Sequence, residues 1–356
     1  MQQHGGLRTD ELRAHGLRAE EVLDFSASVN PLGPSPRVRE ALATLDLARY
    51  PDPDCLALIE ALAARHGVPP DHVLCGNGAS QLLHLAVRVF VHSGQRAVAF
   101  TPTFGEFERA CQLVGGSLFP WHANPERGFR WNLRNKADVL RRVTPPLLYL
   151  CHPNNPTGVY LDEADVRSLT EGLVGGPLLL DEAYVNFVEA AWDATPLTRR
   201  GRVLLLRSMT KDYGLAGLRL GYVVAHPDAI AAMRRLQPEW SVSAAAQVAG
   251  LAALDDEEHL RRSVTLVREA KSELVEALGR ADFTIHAGAA NFLLVRVGDA
   301  SMWRPALLER RLAVRDCTSF GLPEWLRVAV RTPEENRQLV DALVAVREQL
   351  TVEVGG

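Results

Sequence analysis

Short apolar runs alternate with amphipathic stretches along the first two thirds of the chain. RAVAFT (96–101), PLLYLC (146–151), PLLLD (177–181) and RVLLLRS (202–208) are rich in strand formers and too short for buried helices. Between them, ASQLLHLAVRVFV (79–91) and EADVRSLTEGL (163–173) place apolar residues three and four apart, the period of a helix with one buried face. This alternation predicts an α/β domain with a mostly parallel sheet, placed at residues 46–240. From Ala244 to Leu278 the pattern is mostly helical. NFLLVRV and WLRVAV then read as strands, and Pro333–Leu350 as a last helix. Residues 1–45 are too few to fold alone, so they are expected to pack with 241–356 as one small discontinuous α+β domain. Function is then expected at the C-terminal ends of the parallel strands, in the cleft between the two domains.

Composition narrows the function classes. Apolar residues make up 47% of the 356, enough for a sizeable core. The net charge is -4 and no basic stripe or polybasic tail occurs, which argues against nucleic acid or an anionic membrane as partner. No apolar run reaches the length of a membrane span, and the opening MQQHGGLRTDELRAHG lacks the apolar core of a signal peptide. Cys55, Cys75, Cys111, Cys151 and Cys317 are odd in number and lack CxxC spacing. That gives neither a disulfide framework nor a zinc site, so no metal is expected and the expected compartment is a reducing cytoplasm.

Four motifs stand where strands end or helices begin. Gly76-Asn77-Gly78-Ala79-Ser80 opens a helix whose unpaired N–H groups and positive dipole end suit a phosphate, although such a turn alone is more often only a turn. His152-Pro153-Asn154-Asn155-Pro156-Thr157-Gly158 follows PLLYLC and could be no more than a polar loop. Asp181-Glu182-Ala183-Tyr184 follows PLLLD, where a carboxylate faces the cleft or caps a helix. The fourth, Ser208-Met209-Thr210-Lys211, sets a lysine among hydroxyls and small residues, with Arg219 eight positions on. A surface lysine is the default reading for Lys211 taken singly.

Taken together and in this order, NNPTG, DEAY and S-x-T-K…GLR-x-GY resemble the fold-type I pyridoxal-phosphate enzymes. The resemblance is to the branch holding the class I and II aminotransferases, with an aspartate aminotransferase-like fold. It implies pyridoxal 5'-phosphate held on Lys211 as a Schiff base, with Lys211 later carrying the proton. Asp181 would pair with the ring nitrogen, Asn155 and Tyr184 would hydrogen-bond the ring's phenolate oxygen, and Phe104 would stack on the ring face. Gly78, Ala79, Ser80, Ser208 and Arg219 would hold the phosphate. Tyr50, in Arg49-Tyr50-Pro51-Asp52-Pro53, would reach the phosphate of a neighbouring subunit, which implies a homodimer.

A narrower resemblance is to the L-threonine O-3-phosphate decarboxylases of cobalamin biosynthesis. It is carried by His4-Gly5-Gly6, DFSASVNPLG (24–33), Glu239-Trp240-Ser241-Val242-Ser243 and Arg315-Asp316-Cys317…Leu326-Arg327-Val328-Ala329-Val330-Arg331. It implies a small phosphorylated amino acid as substrate, with His4, Asn30, Arg315 and Arg327 among its contacts. Arg327 matches the carboxylate arginine, and Arg315 with His4 would take the phosphate. Arginine's fork suits either anion, so that division stays open. Ser28, Ala79, Ser80 and Ser243 depart from the expected pattern. The expected reaction is loss of CO₂ to give (R)-1-amino-2-propanol O-2-phosphate. The alternatives are a histidinol-phosphate-type aminotransferase and a cofactor-binding regulatory module without turnover. Such regulators usually carry a DNA-binding domain, and no basic helix-turn-helix segment precedes the enzyme-like part.

Overall fold

A computed structural model describes residues 5–355; His4, expected at the substrate phosphate, lies outside the described residues. In chain order the first strands are β1 (Leu23–Asp24), β2 (Val73–Asn77), β3 (Arg96–Thr101), β4 (Ser117–His122) and β5 (Leu148–Cys151). Next come β6 (Leu178–Asp181), β7 (Val203–Ser208), β8 (Leu220–Val224) and β9 (Thr284–His286). The last are β10 (Phe292–Arg296), β11 (Leu312–Ala313), β12 (Arg315–Asp316) and β13 (Trp325–Ala329). The four apolar runs of the sequence are β3, β5, β6 and β7.

Seven strands form the main sheet in the order β2-β8-β7-β6-β5-β3-β4. All run parallel except β8, which is antiparallel to both β7 and β2. Every residue of β5 and β6 is buried, because helices cover both faces of the sheet. One face packs Leu58, Leu148, Leu180 and Leu205 among others; the opposite face packs Leu83, Phe107, Tyr149 and Leu179.

The second sheet, β12-β13-β10-β9, is antiparallel. It packs against the helices Glu257–Arg280, Ala300–Glu309 and Pro333–Gly355 through Leu274, Leu293, Val328 and Leu343. The beginning of the described chain joins this body: β1 pairs in parallel with β11, and Phe25 is buried in the same core. The boundaries expected at 46 and 240 need correction, because two helices beyond them pack with the main sheet instead. Val38 in Pro36–Ala43, and Ala246, Ala249 and Ala253 in Ala244–Leu254, belong to the core of that sheet. A mostly helical pattern could not say which body a helix joins; Gly250 decides it by allowing Leu220 and Leu58 to pack where a Cβ would stand. No helix of the described residues is long and apolar enough to cross a membrane.

Candidate active site

The C-terminal ends of the parallel strands open on a cavity of about 490 Å³ between the two sheets. That is within the size range of small-molecule sites, roughly 300–1,000 Å³. Strand alternation sorts the residues at this edge. Asp181 and Ser208 end β6 and β7 and line the cavity. Their neighbours Glu182 and Arg207 form a separate buried ion pair at 2.7 Å and do not line it. Because β8 runs backwards, Arg219 at its start reaches the same edge.

Lys211 lies three residues beyond β7 and lines the cavity, its Nζ 5.9 Å from the centre of the Tyr184 ring. Burial, then Arg327 and Arg219, lower its pKa to about 8, so a usable fraction is neutral near pH 7. Asp181 is the opposite case. It is buried and accepts from Tyr149 Oη at 2.8 Å and from the Ala183 amide at 3.2 Å. Burial pushes its pKa up to about 6 in spite of those bonds. Burial disfavours this charge, so a cation beside it, such as a protonated ring nitrogen, would be bound favourably.

Phosphate chemistry is matched at the far end. The helix Gly78–Phe90 begins at the cavity, where Ala79 and Ser80 line the wall beside Arg219. Gly78 has φ +75°, and a Cβ there would lie 2.7 Å from Arg219 Nη2. A Cβ on Gly221 would lie 2.5 Å from the Ala79 amide nitrogen. Glycine at both places brings a guanidinium and helix N-terminal amides to one point, an anion cradle. Ser208 Oγ shares a 2.7 Å hydrogen bond with Thr210 Oγ1 at its edge.

The second sheet supplies the opposite wall. Arg315 and Arg327 sit directly across from each other in the β12–β13 register, and both line the cavity. They are 1% and 4% exposed. Arg315 donates to Ser319 Oγ at 2.6 Å and lies over the Phe320 ring. Arg327 donates to Asn155 Oδ1 and, at 2.8 Å, to the Ser26 carbonyl. Burial and then Arg327 lower the pKa of Arg315 to about 10. Directly opposed like charges repel, so an anion that meets both guanidinium groups would be bound favourably here.

Phe104, Asn155 and Tyr184 also line the cavity, as the sequence leads one to expect. Three others do not: Gly78, which stands against Arg219 just behind the wall, Asn30, and Tyr50, expected to serve a neighbouring subunit. Asn30, expected among the substrate contacts, is turned away: its Nδ2 donates to the carbonyls of Gly33 and Asp212 and to Ser263 Oγ. Its Oδ1 accepts from the Leu32 amide, so both ends of the amide are engaged outside the cavity. Tyr50 is 78% exposed and packs on Trp240, with ring centres 5.1 Å apart, outside the cavity. Sequence reasoning misses Tyr149, the one polar side chain within the apolar run PLLYLC. Its position two residues before Cys151, which pairs with Asp181 across β5–β6, is the available signal. It also misses Ser26, which needs the pairing of distant segments to reach the site. Among the described residues no group of three or more His, Cys, Asp or Glu side chains is placed to hold a metal ion.

Lysine, isolated carboxylate and anion cradle together fit pyridoxal phosphate, and comparison with known proteins agrees. The family described as aminotransferase class I and II matches residues 20–343. The chain is 38% identical over 334 residues to a histidinol-phosphate aminotransferase of Symbiobacterium thermophilum, covering 92% of this chain and 91% of that protein. It is 36% identical over 356 residues to the threonine-phosphate decarboxylase of Salmonella typhimurium, covering 96% and 95%. The crystal structure of histidinol-phosphate aminotransferase from Sinorhizobium meliloti in complex with pyridoxal-5'-phosphate superposes with a TM-score of 0.88 at 26% identity, covering 97% of this chain and 96% of that one. A match of this extent places the chain in the class I and II aminotransferase family, pyridoxal-phosphate-dependent enzymes that share the aspartate aminotransferase-like fold.

Proposed function

We propose that the chain decarboxylates L-threonine O-3-phosphate, giving CO₂ and (R)-1-amino-2-propanol O-2-phosphate, as a step of cobalamin biosynthesis. What favours this reading over amino transfer is the segment RDC…LRVAVR with its companions in the sequence; it holds Arg315 and Arg327, two buried guanidinium groups opposed across β12–β13. A substrate with a carboxylate and a phosphate supplies two anions to two cations and relieves their repulsion. The segments DFSASVNPLG, EWSVS and RDC…LRVAVR support it, as does the Salmonella relative.

Pyridoxal phosphate, when bound, supplies an aldehyde that condenses with the substrate amine and a ring that takes up the electron pair of the bond broken at Cα. Lys211 would hold it covalently, Asp181 would balance its ring nitrogen, and Asn155 and Tyr184 would meet its ring oxygen. Phe104 would cover one ring face. Gly78, Ala79, Ser80, Ser208 and Arg219 would take its phosphate, with Tyr50 of a second copy in a homodimer. Lys211 Nζ, with a pKa lowered to about 8, gives up and takes back a proton near neutral pH. Arg315 and Arg327 would bind the substrate's two anions and so orient it in the cavity, and Asn155 steadies Arg327.

A second reading is favoured by the Symbiobacterium relative: amino transfer from histidinol phosphate to 2-oxoglutarate. Its oxo acid also carries two anions, so the arginine pair serves either chemistry. Turnover of each substrate separately decides between them. CO₂ and aminopropanol phosphate from threonine phosphate are the expected products. Rapid 2-oxoglutarate-dependent consumption of histidinol phosphate, with no CO₂ from threonine phosphate, reverses the order.

A further inference from the structure

The turn at residues 30–33 is wedged between the loop bearing Lys211 and the long helix Glu257–Arg280. The Asn30 amide donates to the Lys211 carbonyl at 2.7 Å. Its side-chain Nδ2 donates to the Asp212 carbonyl at 3.0 Å, to the Gly33 carbonyl at 3.1 Å and to Ser263 Oγ at 2.9 Å. His259 on the same helix lies 3.0 Å from the Gly33 carbonyl. A Cβ on Gly214 would stand 2.6 Å from the Gly33 carbonyl carbon, so the two loops meet backbone to backbone. Asp212 is gripped from another side by Asn186 Nδ2 at 2.5 Å.

The same short segment also reaches the anion wall. Four residues before Asn30, the Ser26 carbonyl accepts from Arg327 Nη2 at 2.8 Å, and Ser26 and Ala27 line the cavity. Ser26 is itself held by Asp24, whose Oδ1 accepts from its amide at 2.8 Å and its hydroxyl at 2.6 Å. Residues 27–29 are all that separate the attachment to Arg327 from the attachment to Lys211. Asn30 is 2% exposed and both ends of its amide are hydrogen-bonded. A buried, fully satisfied amide holds the groups it bonds in one arrangement, whereas a half-satisfied one is costly.

We propose that Asn30 is a positioning residue: it fixes the main chain of Lys211 and Asp212 to the segment that holds Arg327, and so sets where the Lys211 amine stands relative to that arginine. This concerns the family chemistry of Lys211 and stands whichever substrate the enzyme takes. The amine is faced by Arg327 and Arg219 as cations and by Asp24 and Asp181 as anions, with the Tyr184 ring beside it. Its electrostatic state is therefore a gauge of its position.

The test is Asn30→Asp in the holoenzyme. The substitution keeps the shape but turns an acceptor towards two carbonyls and a serine. As the lysine relaxes away from the arginines, the midpoint of the pH-dependent visible absorbance should rise by about 0.5–1 unit, and should rise likewise in Asn30→Ala, which breaks the same bonds without adding a charge. On whichever substrate turns over, kcat should fall about tenfold while KM changes less than about threefold. A variant that loses thermal stability yet keeps the wild-type absorbance midpoint and kcat would overturn the proposal, because Asn30 would then be a structural residue only. Should Asn30→Asp yield no folded protein, Ser263→Ala decides. It removes one acceptor from Nδ2, and the absorbance midpoint should move in the same direction by a few tenths of a unit. An unmoved midpoint in Ser263→Ala would then refute the positioning role.

Discussion

The two walls of the cavity are built on different principles. The cofactor wall comes from the ends of parallel strands, and each strand delivers its residues within a few positions of its last hydrogen bond: Asp181 on β6, Ser208 on β7, Arg219 at the start of β8. The anion wall comes from the register of two antiparallel strands, where Arg315 meets Arg327 across twelve positions of sequence. The first wall places opposite charges and dipoles apart for a ligand that spans them. The second sets like charges side by side in a buried place. The difference teaches where each wall's stability comes from. The cofactor wall rests on a sheet buried on both faces; the anion wall rests on a sheet packed against helices, with its arginines held by Ser319, Asn155 and Ser26.

The comparison can be broken most severely at Lys211. On the proposed roles, Lys211→Ala would remove the covalent anchor and the proton carrier together, so turnover should fall by at least about 10²-fold, the lower scale for losing a positioned acid or base. The visible absorbance of the lysine-bound cofactor should vanish with it. Borohydride reduction and peptide mapping of the unchanged enzyme should label Lys211; a label on another lysine would refute the assignment.

The anion wall should respond differently. Arg327→Ala and Arg315→Ala should each lower kcat/KM by about 10–100-fold, the scale of one charge-assisted hydrogen bond worth roughly 1.5–3 kcal/mol. Arg327 should cost more, because it also holds Asn155 and Ser26. Cofactor absorbance should survive in both, which separates the two walls. Loss of cofactor from Arg315→Ala would merge them.

The smallest effect is expected where the walls touch. Gly158, at the end of NNPTG, has φ +70°, and its carbonyl accepts from the Ala289 amide at 2.6 Å. A Cβ there would stand 2.9 Å from Gly288 Cα. Gly158→Ala should therefore cost about 1–3 kcal/mol of stability, read by thermal unfolding of the holoenzyme. An unchanged midpoint would mean that the two loops part freely.

Much of the cofactor wall is legible in the sequence, because its residues are local to strand ends. A continuous apolar run followed by a polar motif states both the strand and the edge it serves, as PLLLD-EAY does. Tyr149 escapes because its hydroxyl lies inside an apolar run and gains meaning only through the Cys151–Asp181 pairing. The place of Asn30 in DFSASVNPLG suggests a substrate contact, and the fold turns it onto Lys211, Asp212 and Ser263 instead. Its motif marks an asparagine of consequence without saying which side of the segment faces the cavity. The helix Ala244–Leu254 is hard to assign to the body it joins for a related reason: its nearly all-apolar surface carries no stripe to show which neighbour it covers.

By itself, then, the sequence determined the α/β pattern and the order of the strand-end motifs, since these depend on residue types and short spacings, and the family resemblance of those motifs implied the cofactor. Tertiary structure alone decided the reversed β8 that brings Arg219 to the cavity edge, the opposition of Arg315 and Arg327, and the tie from Asn30 to Lys211. Each of these depends on strand direction, register or the meeting of segments far apart in the chain. A one-residue change of register turns a side chain to the other face, and no local pattern of residues records it.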